Sequence, residues 1–211
     1  MSAIITEKFR KHNANQFHES FTESSASVYY LMIGKATPFT AATSGGTDVS
    51  PATPADDITT EFYTWDQATA LKNISSGDVS FAVPRRDWAN GTTYDMYESN
   101  ISTSNVTTSG ASSIYESTFF FRTTDNRVYK VMDNNSGAAY SGAEPTSEST
   151  SLFTLGGYTL KYMYTISTSS FTKFITADFM PVATDTTVSA ATTDGEIISL
   201  VITGGSGYTN G

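Results

Sequence analysis

Apolar residues fall into short clusters along the chain, separated by long polar stretches, and the spacing inside each cluster predicts its element. Between Thr6 and Thr22, Phe9, Phe17 and Phe21, with Ala14 near the same stripe, recur at helical intervals and predict an amphipathic N-terminal helix. Ser27 to Ile33 carries Val28, Tyr29, Tyr30, Leu31, Met32 and Ile33 without a polar break before Gly34. So β-branched and aromatic a run predicts a buried strand. Ile58, Phe62, Trp65, Ala68 and Leu71 step by three or four, predicting a second amphipathic helix that ends near Asn73, with Asp56 or Asp57 as its N-cap.

Farther along, Val79 to Val83 reads as a short strand stopped by Pro84. Thr118 to Thr123 and Arg127 to Met132 are aromatic and β-branched runs separated by Thr124, Asp125 and Asn126, so they are expected to pair as a hairpin. Tyr158 to Ile166 predicts a long strand, and Phe171 to Ile175 and Glu196 to Thr203 two more. The stretches Lys35 to Asp57, Asn100 to Ser113 and Asp133 to Ser151 are rich in small polar residues, with Pro38, Gly45, Gly46, Pro51 and Pro54 in the first, and read as surface loops. The fold class expected is α+β and mostly β, with the N-terminal helix and a second helix packed on antiparallel sheet and a β-rich C-terminal part. Residues 1–182 are expected to form one α+β domain, and residues 183–211 to open a further β-rich domain. Asn210-Gly211 is a hairpin turn that lacks its second strand, so the polypeptide is expected to continue past Gly211.

Composition narrows the partners. A formal net charge of -9 argues against binding that depends on neutralising phosphates, which disfavours nucleic acid and anionic membrane as partners. Cysteine is absent, so no disulfide, thiolate metal site or thiol nucleophile is available. Ala3, Ile4 and Ile5 are too short a run for a signal-peptide core, and no segment approaches the ~20 apolar residues of a membrane span. A protein made in the cytoplasm is expected, so the sequons at Asn73, Asn90, Asn100, Asn105 and Asn134 are not read as glycosylation sites.

Candidate chemistry is sparse. His12 and His18 cannot share one helical face as a metal pair. Gly204-Gly205-Ser206-Gly207-Tyr208 lacks the closing glycine of a nucleophile elbow. Asp133, Asn135 and Glu144 have a calcium-loop spacing, but Ala138 stands where the sharp-turn glycine belongs, so a solvated hairpin loop is the better reading. Asp56 and Asp57, adjacent in a loop, suit a helix cap better than a catalytic carboxylate couple. No catalytic residue, metal, cofactor or small-molecule substrate is expected.

The most distinctive segment is Val83-Pro84-Arg85-Arg86-Asp87-Trp88. Arg and Trp are favoured interface anchors, so the segment could form a recognition patch. Equally, Trp88 could plug the core while Arg85 or Arg86 pairs with Asp87 or caps a helix C-terminus. Both readings stay open for Arg85, Arg86, Asp87 and Trp88.

This segment, followed by Tyr94-Asp95-Met96-Tyr97, resembles the baseplate wedge protein family of T-even-type contractile-tailed bacteriophages, in particular the dimeric wedge subunit counted as product eight. Thr6-Glu7-Lys8-Phe9-Arg10, the Tyr29 to Phe39 block, Val128 to Asp133, Gly157-Tyr158, Tyr162-Met163-Tyr164 and Phe174 to Val182 resemble further blocks of that family in the same order. The resemblance implies a virion protein of the tail baseplate that forms homodimers, contacts other wedge proteins and helps transmit the rearrangement of contraction. It implies no enzymatic role. From Ala183 onward the chain resembles Gly-Ser-Gly-Tyr elements of marine cyanobacterial phage tail proteins, which implies a source of that kind. A receptor- or carbohydrate-binding β-module is the competing reading, and it requires several aromatics exposed in one groove.

Overall fold

The computed structural model describes residues 6–23, 25, 27–35 and 67–193, with isolated positions between 47 and 65. The chain divides into two compact units, Met1–Ser80 and Phe81–Gly211.

In the first unit, α1 (Glu7–Glu19) starts where the Thr6 hydroxyl accepts the Phe9 N–H, capping an otherwise unsatisfied donor. The helix is as expected, but its apolar stripe is thin. Phe9 and Phe17 stay exposed, and only Phe21, past the helix end, is buried, in an aromatic cluster with Phe17 and Tyr29. Strands β1 (Tyr29–Gly34) and β2 (Ala68–Ile74) pair antiparallel in a two-stranded ribbon. This corrects two expectations. Ala68 and Leu71 belong to a strand and not to the end of a helix, because the backbone of β1 supplies them with ladder partners, an interaction their spacing does not reveal. β1 is not buried either: Tyr30, Leu31 and Ile33 remain at least half exposed. Ile58 and Trp65 are helical, and Asp56 and Asp57 lie outside the described residues, as do Glu196 to Thr203 and the Asn210-Gly211 turn.

The second unit is built on β3 (Ala82–Pro84), β4 (Phe120–Arg122), β5 (Arg127–Asp133), β6 (Phe153–Leu155), β7 (Tyr158–Thr165) and β8 (Phe179–Pro181). The β4–β5 hairpin forms as expected, and the main antiparallel sheet runs in the order β4-β5-β7-β6, with β3 and β8 forming a small second sheet. Phe171 to Ile175, expected as a strand, lies mostly in helix α2 (Thr168–Phe174). The Ser167 hydroxyl accepts the Ser170 N–H and starts the helix, a local N-cap that overrides the β propensity of Phe171 and Phe174. A short α3 (Thr186–Ala190), capped by Asp185, brings Val188 into the main core. The fold is thus α+β and mostly β.

One face of the main sheet carries Phe121, Tyr129, Val131, Leu160 and Tyr162, which pack with Tyr94, Tyr140 and Tyr158. A tyrosine-rich core must satisfy its hydroxyls, and here they reach loop carbonyls. Tyr129 donates to Ser147 O at 2.9 Å, Tyr140 to Ala143 O at 2.9 Å and Tyr158 to Ala138 O at 2.5 Å. These bonds tie the polar 133–151 stretch to the core, although its composition reads only as loop. A bulge at Met163 in β7 reverses the alternation, so that Tyr162 faces this core while Tyr164 joins Val128, Ile166 and Met180 on the opposite face.

Gly156 closes the β6–β7 turn at φ 60°, where an added Cβ would lie 2.8 Å from the Tyr140 ring and from Gly142 N. Gly156→Ala is expected to cost about 2 kcal/mol, from left-handed strain plus displacement of a buried ring. A chemical denaturation midpoint equal to that of the unmodified chain would contradict this.

Candidate functional site

The segment from Val83 to Trp88 crosses between the two sheets of the second unit. It begins paired with β8, with the last ladder bond from Arg85 N–H to Asp178 O at 2.7 Å. Pro84 faces Phe179 at a position where no ladder N–H is needed, and after Arg85 the chain turns onto the free edge of β4. There Arg122 N–H donates to Arg86 O at 2.7 Å and Trp88 N–H donates to Arg122 O at 2.8 Å, making a parallel bridge between Asp87 and Arg122. The corner therefore links the small sheet to the main one and covers an edge that would otherwise be open.

Asp87 is the hub. Arg85 Nε and Nη2 donate to its Oδ2 at 2.9 and 2.6 Å, and Arg122 Nε and Nη2 donate to its Oδ1 at 2.9 and 2.6 Å. Arg85 also donates from Nη1 to Thr176 O, while Arg122 donates from Nη1 to Asn126 Oδ1 and lies over the Phe171 ring. Two forked guanidiniums on one carboxylate fix the corner geometrically. Partial burial pushes the Asp87 carboxyl up, but the hydrogen bonds and charges of Arg85 and Arg122 outweigh this and hold it below the usual carboxylate range.

Arg86 does not pair with Asp87. Its Nη2 donates to the carbonyls of Tyr115 and Glu116, at 3.0 and 2.7 Å, and its guanidinium lies over Phe120. Trp88 meets Tyr140 edge to face at 6.1 Å and packs against the main core, half-buried, and its indole N–H has no hydrogen-bond partner among the described residues. The structure thus brings Arg85, Asp87 and Trp88 into one corner and sends Arg86 to the neighbouring loop.

That loop has a second polar centre, which the residue pattern does not single out. Asp95 is fully buried, and its carboxylate accepts from Ser109 N at 2.8 Å, Ser109 Oγ at 2.7 Å, Ser117 Oγ at 2.9 Å and Thr118 N at 2.8 Å. Burial pushes its carboxyl up, and the Thr118 and Ser109 hydrogen bonds outweigh that and hold it below the ordinary value. Asp95 thereby orders the Ser/Thr-rich segment 109–118, whose two large apolar side chains, Ile114 and Tyr115, stay exposed. The only signal was an acidic residue facing a serine-rich stretch. Arg122, the buried partner of Asp87, was hidden among strand residues.

Both carboxyls have folded-state values below their unfolded ones. The stability they contribute is present above the unfolded value, about pH 3.9, and is lost as the pH falls through the lower folded values. The melting temperature is expected to hold steady from neutral pH to about pH 5 and then fall steeply with acid. A melting temperature flat to pH 3 would contradict this.

Neither centre is arranged as a catalytic set. Asp133 Oδ1 accepts the Asn135 N–H, while Glu144 holds Thr124, so the residues of the calcium-like spacing serve different elements. Among the described residues no group of three or more His, Asp or Glu side chains is placed to hold a metal, and no helix is long and apolar enough to cross a membrane.

A model of one protein family matches residues 3–138, from before α1 through the corner, the Asp95 loop and the β4–β5 hairpin. The match defines the class, a structural component of a phage tail baseplate. The chain belongs to the family described as Bacteriophage T4, Gp8, the baseplate wedge protein. No curated protein matches the chain. Membership places the protein in the virion tail baseplate, in association with other baseplate proteins.

Proposed function

We propose that the chain acts as a homodimer in each wedge, docks neighbouring wedge proteins and passes on the rearrangement that accompanies contraction, without catalysis and without nucleic acid, membrane or small-molecule ligands. The observation that carries this reading is the apolar surface of the β1–β2 ribbon. Leu31 is 50% and Ile33 54% exposed on one face of the ribbon, and Tyr30 61% and Leu71 59% on the other, apolar side chains that a contact would take out of water. A subunit contact accounts for it. The corner at Arg85, Arg86, Asp87 and Trp88 supplies rigidity and, through the exposed side of Asp87, a polar rim for a neighbour. The carbohydrate-binding alternative is less favoured, because Phe121, Tyr129, Tyr140 and Tyr158 are spent on the core. A marine cyanobacterial phage as source and synthesis in the bacterial cytoplasm belong to the same reading.

Sedimentation of the full chain tests the dimer. At micromolar concentration it is expected to run at twice 22.7 kDa, and Leu31→Glu with Ile33→Glu is expected to run as a monomer with unchanged near-ultraviolet dichroism. A monomeric unmodified chain would remove the homodimer.

A further inference from the structure

The β1–β2 ribbon has two edges, and they are not alike. β1 is bonded along one side to β2, from Tyr29 opposite Ile74 to Ile33 opposite Ala70. An antiparallel strand directs its backbone N–H and C=O groups alternately to its two sides, so half of those on β1 point away from β2. Among the described residues no strand other than β2 pairs with β1. A row of such groups on an extended strand is a template for another strand.

Charge distinguishes the two edges and points to the occupant. β2 carries Lys72, whose ammonium lies 2.8 Å from the Asp78 carboxylate. A lysine on an edge strand guards it against further pairing. β1 has no such guard: from Ser24 to Gly34 no residue is charged, in a chain whose net charge is -9. A strand that lies against its own copy must be of this kind, since any charge near the two-fold axis would meet its like. The two ends of β1 are charged, with opposite signs. Tyr29 starts the strand beside the C-terminal end of α1, with its hydroxyl 2.9 Å from Ser20 Oγ and its ring against Phe17 and Phe21. Glu19, at the helix end, and Glu23, just after it, are exposed there, where the helix dipole is also negative. Lys35 stands exposed just past the other end of the strand.

We propose that β1 pairs edge to edge with β1 of a second copy, antiparallel about a two-fold axis, so that two ribbons join into one four-stranded sheet. An antiparallel pair sets the start of each strand beside the end of the other, which brings Lys35 of each copy toward Glu19 and Glu23 of the other. Leu31 and Ile33 on one face, and Tyr30 and Met32 on the other, meet their counterparts across the new ladder. Pairing of β1 with the β2 edge of a next copy is head to tail, brings Lys72 into the contact and does not close at two copies. The inference rests on the homodimer reading and names the strand that makes that contact.

The chain has no cysteine, so single-cysteine variants of the full chain report the pairing directly. Tyr30→Cys, Leu31→Cys, Met32→Cys and Ile33→Cys, oxidised at micromolar concentration, are expected to cross-link as dimers, best at the position nearest the two-fold axis, while Leu71→Cys does not cross-link. Lys35→Glu should weaken the dimer about tenfold by sedimentation, and adding Glu19→Lys and Glu23→Lys should restore it. In the unmodified chain, alternate β1 amides should exchange more slowly as protein concentration rises. A dimer that cross-links best through Leu71→Cys, or whose β1 amides exchange at a rate independent of concentration, would overturn the edge pairing and leave the homodimer standing. So would Lys35→Glu without effect, or a charge swap that restores nothing. A chain that is monomeric at every concentration and cross-links at none of these positions would remove the homodimer and the pairing together.

Discussion

Asp95→Ala is expected to lower stability by about 4 kcal/mol, the largest effect of any single side chain considered. The carboxylate is fully buried and accepts four hydrogen bonds, two of them from the Ser109 and Thr118 backbone N–H groups, which cannot rotate to other partners. Each buried donor left without a partner costs about 1–3 kcal/mol, and the two hydroxyls recover part of theirs by turning elsewhere. At roughly 3 °C per kcal/mol for a chain of this length, the melting temperature should fall by about 12 °C. Asp95→Asn keeps the shape but points an amide donor at other donors, so it should recover less than half of the loss. Thermal melting followed by circular dichroism decides it. A shift of less than 3 °C for the Ala variant would show that the serine-rich segment is held by other means.

Trp88→Ala should cost about 3 kcal/mol, the lower end of the range for core aromatics, because the ring is only half-buried. It removes the edge-to-face contact with Tyr140 and uncovers the end of the main core. Trp88→Phe keeps an aromatic ring against Tyr140 and should keep most of the stability, within about 1 kcal/mol of the unmodified chain. If both variants melt like the unmodified chain while binding to wedge partners weakens, Trp88 is an interface anchor and not part of the corner.

What could be read from the residues divides along a physical line. The β4–β5 hairpin and β7 were legible because aromatic and β-branched side chains run together there, the composition of a sheet packed on both faces. The β1 strand was legible in type but not in environment: its continuous apolar run looks the same whether it is covered by its own chain or awaits another surface. Leu71 and Ala68 fit a helical spacing and yet pair with β1, since a ladder partner some 40 residues away leaves no local trace. Phe171 to Ile175 failed for the opposite reason, a local cap at Ser167 winning over propensity.

At the candidate site, the adjacency of Arg85 and Asp87 was visible in their order along the chain. The contribution of Arg122 was not, because the bridge that brings β4 beside Asp87 is a tertiary pairing. The separation of Arg86 from Asp87 also follows from that pairing. In the extended segment beside β4, residues 86 and 87 point to opposite sides, so Arg86 meets the Tyr115 and Glu116 carbonyls while Asp87 meets the other two guanidiniums. Asp95 was passed over because a lone acidic residue in a polar region is normally solvated.

The most direct test of the protein's role is a cryo-electron map of contractile-tail baseplates purified from the phage that encodes it. The account predicts density in every wedge that fits the second unit, with the corner at Trp88 resolved and the exposed β1–β2 ribbon covered by a neighbouring subunit. Baseplates whose wedges are complete without density for this chain would contradict it.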